Sequence, residues 1–305
     1  MFRITRGLIS AAAASALLTV VHAAAADVGS AFRRTIARPQ TAPSERETSA
    51  DLPGVRLWYH DTGGSGVPIV LIHANTGSSR VWEYQLPVFV KNGFRVIVYD
   101  RRGFGRSAID PAGAQPGTGA DDLQGLMTHL GIDRFHLLGT AGGAFVAIDY
   151  ALSFPGRLRS LVVASSIGGV QDEEFLAMGR RLRPSPQFES LPPEIREVGP
   201  SYRAANPEGT RRWVELEKVS RPPGPPAPAQ TLRNRLTFAK LEEIKAPTLL
   251  LTGGADMFAP PPVLQLFKAR IKHAETLIVP DAGHSVYWEQ PEVFNRAVLA
   301  FIRKH

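Results

Sequence analysis

The sequence predicts an α/β fold: a doubly wound, mostly parallel sheet with a helical insertion. Three observations carry this. Short apolar runs with the look of buried strands alternate along the chain with helical stretches, a pattern that implies βαβ crossovers. Phe135–Phe154 reads as a buried strand, a side-chain-poor turn (Gly139-Thr140-Ala141-Gly142-Gly143) and an apolar helix. The alternation is interrupted between Val170 and Thr237, where helical segments are separated by proline-containing loops.

From the N-terminus, Arg3 and Arg6 precede the apolar run Leu8–Val21 and then Ala24-Ala25-Ala26, the order of an export signal with a small-residue cleavage site. The run falls short of the roughly 20 residues that a spanning helix needs. Residues 1–26 are therefore expected to be a signal peptide, leaving a secreted or periplasmic protein without stable membrane insertion; an uncleaved amphipathic anchor is the competing reading. Residues 27–50, rich in Ala, Arg, Thr, Ser and Pro without periodicity, are expected to be a flexible leader. The chain of 305 residues has no cysteine, which excludes disulfides, thiolate metal sites and a cysteine nucleophile. Its formal charge of +7 comes from scattered Lys and Arg, which suggests a solvated basic surface and no nucleic-acid partner.

The core elements follow in order. Val55–Asp61 and Pro68–Ile72 read as strands around Thr62-Gly63-Gly64-Ser65-Gly66. Arg80–Lys91 has helical spacing, and Phe94–Tyr99 is another buried strand. Ala120–Leu130 is a predicted helix closed by Gly131, ahead of the Phe135–Leu138 strand and the Ala144–Leu152 helix. Leu158–Ala164 is a further strand. After the insertion come the strand Pro247–Thr252, the helix Leu264–Ile271, the strand Glu275–Val279 and the amphipathic helix Pro291–Arg303. Sites in such sheets lie at the carboxyl ends of the strands, which places His73, the Gly139–Gly143 turn and Ser165 on one edge.

A sharp strand-to-helix turn over small residues is the setting of a nucleophile elbow. On that unit the chain resembles the α/β-hydrolase superfamily over roughly Val55 to His305, with Gly139-Thr140-Ala141-Gly142-Gly143 where the family has G-x-S-x-G. Asp100-Arg101-Arg102-Gly103-Phe104-Gly105-Arg106-Ser107 is similar to the family's D-x-R-G-x-G-x-S turn. The resemblance implies a core of residues 51–169 and 238–305, with 170–237 as a helical cap. Phe175, Leu176, Met178, Tyr202 and Trp213 are its candidate apolar lining. Asp256, in a G-x-x-D-x-x-x-P context, and His284, in a G-H turn before Glu289, Pro291 and Phe294, match the acid and histidine of the triad in the expected chain order. A carboxylate on imidazole Nδ1–H fixes the tautomer and supports the imidazolium.

The nucleophile position is Ala141, which has no attacking atom. Backbone donors do not depend on that side chain, so the N–H groups of Gly142 and Asn75 are the expected oxyanion hole, with Ala74 in place of the family's usual Gly. His73, Trp82 and Phe258 are candidate substrate-binding residues. Thr140, Ser78, Ser79, Ser165 and Ser166 are the alternative oxygen sources, against which turn and cap hydrogen bonding weighs. The histidines show no H-x-x-x-H or H-E-x-x-H spacing, and no Walker or dinucleotide element is present, so no metal and no cofactor are expected.

Three functions follow for a small-molecule substrate. The first is an enzyme on a small ester, lactone or carbonyl-type substrate with His284–Asp256 as general base. The family includes members that run base-driven lyase and cofactor-free oxygenase chemistry with this pair. The second is a non-catalytic ligand-binding protein, and the third an enzyme whose nucleophile comes from another position.

Overall fold

The computed structural model describes residues 48–109, 117–182, 185, 187–224 and 227–305. The expected signal peptide and residues 27–47 of the expected leader lie outside the described residues. The strands are β1 (Thr48–Leu52), β2 (Val55–Asp61), β3 (Pro68–Ile72), β4 (Arg95–Tyr99), β5 (Ala108–Ile109), β6 (Phe135–Thr140), β7 (Leu158–Ala164), β8 (Thr248–Gly253) and β9 (Glu275–Val279). They form one sheet of order β1-β2-β4-β3-β6-β7-β8-β9, with β5 beside β2. Every neighbouring pair from β4 to β9 is parallel, whereas β1, β2 and β5 make an antiparallel edge.

The helices are α1 (Leu86–Lys91), α2 (Gly119–His129), α3 (Gly142–Ser153), α4 (Glu173–Leu182), α5 (Pro193–Glu197), α6 (Pro200–Ala205), α7 (Pro207–Lys218), α8 (Phe238–Leu241), α9 (Pro261–Arg270), α10 (Val286–Glu289) and α11 (Pro291–Ile302). Apolar side chains of α2, α3 and α9 pack with Val70, Ile72, Leu137 and Val163 on one sheet face. Those of α1 and α11 pack with Ile69, Leu71, Leu138 and Val162 on the other. Because β6 is covered on both faces, all six of its residues are buried, which is why it reads as a continuous apolar run rather than an alternating one. Burying a side chain such as Ile148 of α3 contributes about 1.5–3 kcal/mol, and several such residues pin that helix to the sheet.

Three expectations are corrected. The leader gives way to structure at Thr48, not Asp51: β1 pairs along β2 from Thr48↔Tyr59 to Leu52↔Val55. The predicted helix Arg80–Lys91 is a 3-10 turn, Ser79–Trp82, followed by α1. Pro87 near the start of α1 accounts for the break, since proline is tolerated only in a first turn. Among the expected lining residues, Phe175 packs into the sheet-face core against Phe238 at 5.1 Å, and Tyr202 and Trp213 are buried in the opposite cluster. Leu176 is exposed and Met178 packs at the edge of the first core.

Candidate active site

β6 delivers the chain into α3 through Ala141, whose φ of 48° and ψ of −119° lie where residues other than glycine are rare. The flanking residues hold it there. A Cβ on Gly139 would sit 2.6 Å from the Gly143 carbonyl oxygen, and one on Gly143 2.5 Å from that of Ile72, so only glycine fits both positions. Ala141 N–H donates to Ala164 O at 3.0 Å. Ser166 Oγ donates to Ala141 O at 2.8 Å and accepts from Gly168 N–H at 3.0 Å, which commits that hydroxyl to propping the turn. Ser165 also has positive φ, at 45°, and its buried Oγ has no hydrogen-bond partner among the described residues. Ser79 accepts from Arg106 at 3.1 Å.

The end of β8 and the loop after β9 bring Asp256 and His284 together. His284 Nδ1–H faces both carboxylate oxygens at 2.9 Å, and Asp256 Oδ1 also accepts from Phe258 N–H at 2.8 Å and Ala259 N–H at 2.9 Å. Burial opposes the Asp256 charge, but the His284 imidazolium and these bonds outweigh it and hold the carboxyl below its ordinary range. The half-buried Phe258 ring lies 4.8 Å from the imidazole, tilted at 47° to it.

Glu197, at the end of α5 in the insertion, was not anticipated. Its carboxylate Oε2 is 3.8 Å from His284 Nε2, both side chains are buried, and Ser285 N–H donates to the Glu197 carbonyl at 2.9 Å. Burial pushes the Glu197 carboxyl up, with the charge on Asp256 adding to the rise, while His284 and the nearby Thr76 hydroxyl counteract it. Burial likewise disfavours a charge on His284, yet the carboxylates of Asp256, Glu197 and Glu289 prevail and raise it to about 9. The imidazole is thus a cation at neutrality. Glu289, also buried, accepts from Gly283 N–H at 2.8 Å and Gly199 N–H at 2.9 Å, with a longer contact of 3.2 Å from Ser285 N–H. Its carboxyl is raised to about 7 by burial, against the pull of those N–H groups.

Of the two expected oxyanion donors, Gly142 has the side-chain amide of Asn75 packed against its Cα. Gly142 opens α3, so its N–H is one of the helix's unpaired donors, and a Cβ there would lie 2.8 Å from Asn75 Nδ2. Asn75 Oδ1 accepts from Arg101 Nη2 at 2.6 Å, and its carbonyl from Arg221 at 3.2 Å. Both guanidinium groups stack on Phe104, at 4.4 and 4.3 Å, so this edge carries positive charge suited to a developing oxyanion.

His73 and Trp82 do not take the roles expected of them. His73 is fully buried, donating from Nδ1 to Ala74 O at 2.7 Å and accepting at Nε2 from Arg101 N–H at 3.0 Å. Burial first, then the charges of Arg101 and Arg221, hold it well below the ordinary imidazole value, so it is a neutral brace for the loop carrying Asn75. Trp82 is buried in the core 5.0 Å from Tyr287. Among the described residues no group of three or more His, Asp or Glu is arranged to hold a metal ion, and no helix is long and apolar enough to cross a membrane.

Comparison with known proteins follows the same lines. Residues 69–297 match the family model of the Alpha/beta hydrolase family. The chain is 29% identical over 278 residues to a 2-hydroxy-6-oxononadienedioate/2-hydroxy-6-oxononatrienedioate hydrolase of Burkholderia vietnamiensis, covering 82% of this chain and 92% of that protein. It is 28% identical over 271 residues to a 2-hydroxy-6-oxo-6-phenylhexa-2,4-dienoate hydrolase of Comamonas testosteroni, covering 81% and 92%. Among solved structures, a thermophilic esterase from Thermogutta terrifontis superposes with a TM-score of 0.69 at 30% identity, covering 86% of this chain and 99% of the esterase.

Proposed function

Since the chain belongs to the alpha/beta hydrolase family, we propose that it hydrolyses a small ester, lactone or carbonyl-type substrate by direct attack of water, with no acyl-enzyme. His284–Asp256 is the centre of proton transfer, and the N–H groups of Asn75 and Gly142 receive the oxyanion. The insertion 170–237 serves as the cap. The observation that carries this reading is the paired approach of Asp256 to His284 Nδ1 at 2.9 Å, kept in a chain whose elbow residue is alanine. The hydrolase names of the relatives, whose substrates are oxo acids, support the reaction class. In the reaction a water oxygen bonds to the carbonyl carbon, its proton passes to the site, and the carbonyl oxygen takes negative charge against the two N–H donors. Collapse of the adduct breaks the bond to the leaving group, which takes up a proton.

The test is turnover of p-nitrophenyl acetate and a δ-lactone by wild type, His284→Ala and Asp256→Asn. Loss of about 10²–10⁴ in kcat/KM for His284→Ala is expected, the usual range for acid–base catalysis. No burst and no covalent mass on the protein should accompany wild-type turnover. Equal rates for wild type and His284→Ala would refute the reading. Tight ligand binding without turnover would make the protein a binder. A stoichiometric adduct on a serine, with Ser165 the first to inspect, would assign a nucleophile elsewhere.

A further inference from the structure

His284 is ringed by carboxylates that are not equivalent. Asp256 occupies Nδ1 and Glu289 is spent on backbone N–H groups, but Glu197 faces Nε2. In a serine hydrolase Nε2 is the atom that serves the nucleophile. The Glu197 carboxylate is buried, and His284 is its only ion-pair partner among the described residues. The neighbouring Arg196 pairs with Glu189 instead, at 3.1 Å. Asp256 holds the Nδ1 side of the imidazolium, whereas Glu197 has no second cation, so a proton can pass between Glu197 and Nε2 without breaking a further ion pair.

We propose that Glu197 is the catalytic base of this site and that His284 works as its charged acid partner. This rests on the hydrolytic reading above and assigns its proton steps. Glu197 removes a proton from the attacking water as the oxygen bonds to the carbonyl carbon. His284 Nε2–H then protonates the leaving oxygen as its bond to carbon breaks. The Glu197 carboxylic acid is left beside a neutral imidazole 3.8 Å away, and relay of its proton to Nε2 through one water restores both groups. No atom is gained or lost beyond the water consumed. An acid raised by burial makes a stronger base than an exposed one, and an imidazole kept charged past neutrality is a ready acid. The groups that set these protonation states are Asp256, Glu289 and Glu197 around His284, and His284, Asp256, Arg196 and Thr76 around Glu197.

The experiment has two arms. In the first, ¹⁵N-histidine NMR follows His284 from pH 5 to 10 in wild type, Glu197→Gln and Glu197→Asp. Wild-type His284 should keep both ring protons to about pH 9, while Glu197→Gln should release one at lower pH and Glu197→Asp should fall between. In the second, kcat/KM for p-nitrophenyl acetate is measured against pH. Wild type should give a bell whose acid limb is Glu197 and whose alkaline limb is His284. Glu197→Gln should lose about 10²–10³-fold and the acid limb with it, and Glu197→Asp should recover part of the rate. Identical His284 titrations in wild type and Glu197→Gln, or an unchanged acid limb, would overturn the proposal. A wild type no faster than His284→Ala would sink the hydrolytic reading, and with it the base role, even where the titrations differ.

Discussion

Ala141→Gly should stabilise the protein, although glycine in place of alanine normally does the opposite. Alanine at φ 48°, ψ −119° carries strain on the order of 1–3 kcal/mol, which glycine does not. Against this, glycine raises the entropy of the unfolded chain by about 0.4–1 kcal/mol, and losing a half-buried methyl costs about 0.4 kcal/mol more. The balance centres on about 1 kcal/mol in favour of glycine, or a rise of about 2–4 °C in Tm for a chain of this size. Differential scanning calorimetry on wild type, Ala141→Gly and Ala144→Gly measures it. Ala144, three residues on in α3 and fully buried, is the control and should lose at least about 1 kcal/mol. A fall in Tm for Ala141→Gly similar to that of Ala144→Gly would show that the turn is relaxed and that the elbow argument is wrong.

Ala141→Ser should acquire stoichiometric labelling by fluorophosphonate probes that wild type lacks, read by intact mass spectrometry; a folded variant inert to the probe would place the serine outside reach of His284. His284 is raised from 6.5 to about 9 in the folded protein, so its proton stabilises fully below about pH 6.5 and that contribution is lost as pH rises through about 9. Glu289 acts in the same sense between about 4.5 and 7. Urea midpoints should therefore fall from pH 6.5 to 9 in wild type and fall less in His284→Gln. Glu289→Ala leaves the buried N–H groups of Gly199 and Gly283 without acceptors, at a cost of about 2–5 kcal/mol in denaturant unfolding; a loss under 1 kcal/mol would mean that the loops re-pair elsewhere.

The parallel half of the sheet was legible because its strands are buried on both faces and stand out as apolar runs such as Pro68–Ile72 and Phe135–Leu138. β1 was not, because it lies at an edge and buries only Ala50 of its five residues; a strand with one inward side chain has no period to read. Asp256, His284 and the elbow were legible since each sits in a turn with its own local pattern at a strand end. Glu197 had no such marker. Its stretch, Leu191-Pro192-Pro193-Glu194-Ile195-Arg196-Glu197, reads as a proline-rich surface loop, and its meeting with His284 is made by tertiary packing across 87 positions of sequence. His73 misled for the opposite reason: a histidine at a strand end beside the site resembles a ligand, and only its two ring partners show it to be a brace.

The Glu289 carboxylate clasps Gly199 on the insertion and Gly283 beside His284, and Ser285 N–H reaches back to Glu197 O. Those segments are riveted into one jaw. The backbone of Glu197–Gly199 cannot move away from the His284 loop without breaking several buried bonds at once, so that stretch is a fixed wall. At the other end of the insertion the helix Glu173–Leu182 is held more lightly, with Phe175 its one fully buried residue.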